Sequence, residues 1–142
     1  MRSIRQRAVG GFTLIELLVV IVIIGLLAAF VAPRYFKQIG RSKTQIARAQ
    51  IESLETALDQ YRIDTGHYPA TELGLAALVN RPLSEPNWKG AYLKKAIPVD
   101  PWGAPYVYNT PGREEREYDI VSYAADGKPG GEGDDADVTS WN

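Results

Sequence analysis

From Phe12 to Ala32 the chain runs 21 residues in which Thr13 and Glu16 are the only polar side chains. At ~1.5 Å per helical residue that length crosses the hydrocarbon core of a bilayer. A segment so apolar on every side cannot be one layer of a small soluble fold; it needs lipid or other protein around it. Glu16, four residues past Phe12, is therefore the feature to explain. A helix depth of only ~6 Å would let its carboxylate reach the headgroups. Alternatively it has a specific partner.

The residues ahead of the run bear on that choice. A secretory signal places its small-residue cleavage site beyond the apolar core. Here Gly10 and Gly11 precede the core and follow a basic leader, "MRSIRQR". A cut between Gly11 and Phe12 would discard residues 1–11 and keep the apolar helix in the mature chain. It would also create an α-amine four residues from Glu16. Within one helix the carboxylate could approach its own amine; between helices staggered by a turn it could neutralise a neighbour's. The second arrangement is head-to-tail and open, the kind of contact that generates filaments.

Within the run, Gly25 and Ala29 share a face and would let another helix approach closely. Pro33 lacks a backbone donor, so a helix break is expected between Gly25 and Pro33. Three arginines precede the run while Arg34, Lys37, Arg41 and Lys43 follow it, so charge counting does not fix the orientation. Beyond residue 36 there are twelve Lys/Arg against sixteen Asp/Glu, a net charge of −4 that argues against nucleic acid as a partner. The chain has no cysteine, which excludes a disulfide framework and thiolate metal or redox chemistry.

After Pro33 the pattern becomes amphipathic. Ala47, Ile51, Leu54, Leu58 and Tyr61 form one stripe at helical spacing. Gly66 stands where a helix stops. One helix from Phe12 to about Asp64 is thus expected, apolar in its first half (12–33) and one-sided in its second (34–65), with a small domain covering the stripe. Residues 66–142 should supply that cover. "TELGLAALV" reads as a short helix over 71–79 capped by Thr71. Tyr68, Trp88, Tyr92, Trp102 and Tyr106, set among prolines and glycines, read as its core. Residues 106–109 and 117–123 read as an antiparallel hairpin whose connection contains a Pro111-Gly112 type II turn. The fold class is therefore α+β. The tail from Ala124 shows neither helical nor strand period.

No catalytic constellation stands out. His67 is the single histidine and lies in a turn with no nucleophile motif near it. The tail offers more: Asp126, Glu132, Asp134, Asp135 and Asp137 interleave with four glycines. Hard oxygen donors on a pliable loop suit Ca²⁺, although the spacing is not that of an EF-hand, and a solvated acidic turn has the same composition.

"GGFTLIELLVVIVIIGLLAAFVAPRY" resembles the N-terminus of type IV pilins and pseudopilins. "TGHYP", "GLAAL", "WKGAYL", "PVDPWGAPYVY" and "ADGKPGGEGDDADVTSW" extend the resemblance, over nearly the whole chain, to the major pseudopilins of type II secretion systems. The resemblance implies a pilin-like fold. It implies cleavage after Gly11 by a prepilin peptidase, N-methylation of Phe12, and a role for Glu16 in assembly. It implies a cytoplasmic leader, a single inner-membrane span, and residues 66–142 as a periplasmic region. It further implies a homopolymer, the pseudopilus, that drives export of folded proteins together with minor pseudopilins and an inner-membrane platform. Calcium would be held by Asp126, by Asp134 or Asp135, by Asp137, and by carbonyls near Tyr123 and Val138. On this reading the chain is structural and not an enzyme. A type IV pilin for adhesion or motility, or a single-span periplasmic binding module, are the alternatives; the lack of a C-terminal cysteine pair speaks against the first.

Overall fold

The computed structural model describes residues 11–141, with the side chain of Lys37 left aside. The basic leader, residues 1–10, lies outside the described residues. One helix dominates: α1, Leu14–Thr65, 52 residues long. The chain divides into two compact units, Met1–Gln38 and Ile39–Asn142.

In the first unit α1 buries its apolar side chains against nothing among the described residues. Every large apolar side chain from Leu14 to Phe36 is exposed, and this is the one helix among the described residues long and apolar enough to cross a membrane. The helix break expected at Gly25 and Pro33 is absent: both residues lie inside α1. A proline in a helix forfeits its own bond to the carbonyl four residues back, and its neighbours can keep theirs, so helices rich in apolar residues tolerate it.

In the second unit the stripe does what its spacing predicts. Ala47, Ile51, Leu54, Leu58 and Tyr61 are all buried, joined by Ala57. They pack against Leu75, Ala77 and Leu78, against Tyr106 and Tyr108, and against Ile120 and Val138. Residues 74–78 form a 3₁₀ turn (Gly74–Leu78), shorter than the helix expected over 71–79. Thr71 does not cap it. Its hydroxyl donates to the Thr110 carbonyl and accepts from the Thr110 N–H, both at 2.9 Å, fixing the turn to the hairpin. Five residues give too few bonds for an α-helix, and the long-range pair outcompetes the local cap.

The sheet has three antiparallel strands in sequence order. β1, Val107–Asn109, pairs with β2, Asp119–Ser122, placing Tyr108 opposite Ile120. β3, Val138–Thr139, adds to the other side of β2, with Thr139 opposite Val121. The hairpin was legible; β3 was not, because two residues carry no period. The type II turn is also corrected. Such a turn needs a positive φ at Gly112, and Gly112 is not among the residues that have one. Its lack of a side chain serves close approach instead: a Cβ there would lie 2.6 Å from Asp119 Oδ1 and 2.7 Å from the Tyr118 carbonyl carbon.

The aromatics form core, as expected, and four of their polar ends find partners, while the buried Tyr61 hydroxyl has none. Trp88 Nε1 donates to the Ala77 carbonyl, Tyr92 to Asp64, Tyr106 to Gln50 and Tyr108 to the Pro69 carbonyl. With so little strand and turn structure, the Tyr92 and Tyr106 bonds tie loops to α1, and those of Trp88 and Tyr108 tie the segments beyond it to one another. Gly112→Ala should therefore lower stability by about 1–3 kcal/mol, since backbone must shift to admit a methyl group. Gly90→Ala, where a Cβ meets nothing within 4 Å, should be near neutral; urea melts of the two variants check the contrast.

Candidate functional site

Two places gather the residues singled out in the sequence: the start of α1 and the tail loop. At the start of α1, Thr13 and Glu16 form a reciprocal cap. Glu16 Oε2 accepts from both the Thr13 N–H and the Thr13 hydroxyl at 2.9 Å, and the Glu16 N–H donates to Thr13 Oγ1 at 3.3 Å. This is the capping box, a Thr and a Glu three residues apart that satisfy helix-end donors mutually. The signal T-x-x-E was present in the sequence and went unread. A carboxylate in the first turn also faces the positive end of the helix dipole. Glu16 is thus not stray; one of its oxygens belongs to the helix end. The other, Oε1, has no hydrogen-bond partner among the described residues. Gly11 and Phe12 precede the helix, and Phe12 is exposed. Gly25 has open space around it, so the face it shares with Ala29 is uncovered.

In the tail loop the expected donors are only partly brought together. Asp126 turns into its own loop, accepting from the Lys128 N–H at 3.0 Å. Asp134 lies directly against Gly40 of α1, where any Cβ would collide with its carboxylate. Asp135 packs its backbone against Gly131, whose φ is +85°. Among the described residues, no three or more His, Cys, Asp or Glu side chains stand close enough to hold one metal ion. The expected grouping of Asp126, Asp134, Asp135 and Asp137 is therefore not seen. Glycine supplies the reason. It admits positive φ at 127, 130, 131 and 133 and lets Asp134 seat on bare backbone at Gly40.

Asp137 behaves differently. It closes the loop, its Oδ2 accepting from the Gly130 N–H at 2.9 Å while its own N–H donates to the Gly130 carbonyl at 3.2 Å. Its Oδ1 is buried without a partner. It lines a recess of about 60 Å³ with Tyr123, Asn109, Asp119 and Trp141. Val138 follows it in β3. Arg113 also lines the recess, and its charge opposes a second cation there; the orphaned, buried Asp137 oxygen is the one group that fits a hard cation.

Beside this recess stands a cluster the sequence did not reveal. Asp119, 2% exposed, accepts from Arg116 Nε at 2.7 Å and from the Arg113 N–H at 2.9 Å. Arg116 also reaches Glu114 and lies over the Trp141 ring, 4.1 Å from its centroid. The result pins the last residues of the chain to the hairpin. Burial alone would raise the Asp119 carboxyl. The Arg116 bond, the Arg113 amide and the two guanidinium charges outweigh it, so the group is held below its ordinary value. Its stabilisation is present above the unfolded carboxylate value of ~3.9 and is lost as pH falls through the lower folded one. Asp119→Asn should cost about 1–3 kcal/mol near neutral pH. The gap to the parent should narrow as urea melts are repeated below the unfolded value of about 3.9.

The profile of the family "Type II secretion system (T2SS), protein G" matches residues 34–141, and that of the "Prokaryotic N-terminal methylation motif" matches residues 6–32. "Type II secretion system core protein G" of Pseudomonas aeruginosa is 46% identical, covering 97% of this chain and 99% of that one. The protein of the same description from Vibrio cholerae is 44% identical, covering 97% and 95%. The crystal structure of the major pseudopilin from the type 2 secretion system of enterohaemorrhagic Escherichia coli superposes with a TM-score of 0.59 at 36% identity. It covers 71% of this chain and 88% of that one.

Proposed function

Because the chain belongs to the type II secretion system protein G family, we propose that it is the subunit of a periplasmic filament, cut after Gly11 and methylated on Phe12. Until assembly its apolar helix holds it in the inner membrane with residues 39–142 on the periplasmic side. Polymerisation then drives folded proteins toward an outer-membrane channel, with energy from an ATPase elsewhere in the system. The partners are a prepilin peptidase, minor pseudopilins, the inner-membrane platform and further copies of this chain. The role is structural rather than enzymatic.

The observation that carries this reading is the pairing of an unburied apolar half-helix with a carboxylate that keeps one oxygen free at its tip. Cleavage before Phe12 supplies an ammonium of the right charge, and a neighbour's ammonium is the partner Glu16 Oε1 lacks. The relatives' shared description favours a secretion filament over a motility pilin. Sequencing the mature N-terminus should begin at methylated Phe12; a chain that keeps its leader would overturn the processing step. Glu16→Val should insert in the membrane normally and leave no filaments in the electron microscope. Normal filaments from it would remove Glu16 from assembly.

For the tail loop we propose Ca²⁺ as a structural ion. Asp137 anchors it. Asp126 and one of Asp134 and Asp135 swing in, and carbonyls near Tyr123 and Val138 complete the oxygen set. When bound, the ion supplies the charge that lets these carboxylates share one loop. Removing Ca²⁺ from the detergent-solubilised chain with EDTA should lower its melting temperature, and Asp137→Ala should abolish that response. A melting temperature indifferent to EDTA would retire the ion.

A further inference from the structure

His67 sits in the turn after α1 with an oxygen at each of its ring nitrogens. Nδ1 lies 3.0 Å from the Tyr68 carbonyl oxygen, and Nε2 lies 3.2 Å from Glu85 Oε1. Both oxygens accept. A neutral imidazole has one N–H, so its other nitrogen would turn a lone pair on an oxygen; the imidazolium, with two N–H donors, satisfies both. The two partners differ in exposure, the His67 side chain being 56% exposed and that of Glu85 11%. A proton can therefore come and go at the ring from solvent, while a buried carboxylate feels the change.

Glu85 is a joint of the loop from Asn80 to Tyr92. Its N–H donates to the Pro82 carbonyl at 3.2 Å, and its carbonyl accepts from the Trp88 N–H at 3.3 Å. The ends of the loop are fixed separately, by the Asn80 N–H on the Ala76 carbonyl and the Tyr92 N–H on the Leu78 carbonyl. Lys89 pairs with Asp64 of α1 at 3.4 Å, and Arg81 reaches the Pro86 carbonyl. From α1, Tyr61 faces the pair: its ring stands 6.2 Å from that of His67, and its buried hydroxyl has no partner. Burial, and then the Glu85 charge, push that phenol up to about 12. Burial also pushes the Tyr92 phenol up. Carboxylates change charge at lower pH than imidazole, and phenols at higher. Between pH ~5 and ~8 the arrangement is thus switched at the imidazole.

We propose that His67 and Glu85 form a proton-operated latch on the loop from Asn80 to Tyr92, closed while the ring carries two protons and loosened when it loses one. Loss of the Nε2 proton leaves an ionised carboxylate facing a lone pair at a residue only 8% exposed. A buried charge without a donor is costly, and the loop relieves it by turning Glu85 to water. The contribution of the latch is present while the imidazole is charged and is lost as pH rises. One partner is open to solvent, so the effect is modest. The latch governs the middle of the loop, residues 82–88, which carries the fully exposed Leu83. The proton therefore sets how firmly an uncovered apolar side chain is presented, a property separate from the filament role proposed above.

Hydrogen exchange of the detergent-solubilised full chain at about pH 5.5 and about pH 8, each referred to unstructured chain at the same pH, reads the latch. Amides of residues 82–88 should open about two- to fivefold more readily at the higher pH, with residues 47–61 of α1 unchanged. His67→Gln should hold the segment in its looser state at both values. His67→Arg, whose guanidinium keeps its charge, should hold it in the tighter state at both. A parent chain whose 82–88 amides ignore pH would overturn the latch. So would the same dependence surviving in His67→Gln, which would place the titrating group elsewhere. A His67→Arg chain as loose as His67→Gln would overturn the ion pair with Glu85 as the cause. A change that extends to residues 47–61 would show pH acting on the whole fold, and the latch would fall.

Discussion

Residues 39–142 depend on one strip of helix surface. Ile51, Leu54, Leu58 and Tyr61 are each 2% exposed or less, and nearly everything beyond Thr65 is arranged to keep water off them. At roughly 25 cal/mol per Å² of apolar surface, four such side chains outweigh any exposed ion pair in the molecule. The three short strands cannot do this alone. Long loops complete the cover, each fastened by an aromatic hydroxyl or indole to a backbone carbonyl or a helix side chain. The architecture is closer to a helix with a stitched wrapping than to a sheet with a helix laid on it.

The same helix has no such cover in its first half, and the contrast explains the division of labour along the chain. Where the apolar residues form a stripe, the chain folds on itself; where they go all round, no arrangement of this chain would bury them. The first half must therefore be solvated by lipid or by other subunits. Folding of the second half is complete without deciding which.

Legibility in the sequence followed the range of the interactions involved. The long helix, its buried stripe and the hairpin come from periodicity, which a sequence displays directly, and the aromatic core from large rings set among prolines and glycines. The misses are of two kinds. Thr71, β3 and the seating of Arg116 on Trp141 are set by contacts between distant segments and leave no local trace. Gly112 and Gly40 were misjudged, or passed over, because a glycine can serve φ or close approach, and only the fold says which. The capping box is different in kind: Thr13 and Glu16 sit three apart in plain view, a local signal masked by the apolar run around them. In the tail, composition displays the oxygen donors but not that Asp134 seats on the helix while Asp137 keeps a bare oxygen.

That capping box also bears on the processing proposed for the chain. A helix with a strong N-terminal cap has a defined first turn and does not extend into the residues ahead of it. Gly11, Phe12 and Thr13 are held outside α1 for this reason. Peptidases bind their substrates as extended chain, because a helix hides its amides in internal hydrogen bonds. By fixing where the helix begins, Thr13 and Glu16 leave the Gly11–Phe12 bond outside it, in the extended form that the proposed cut would require.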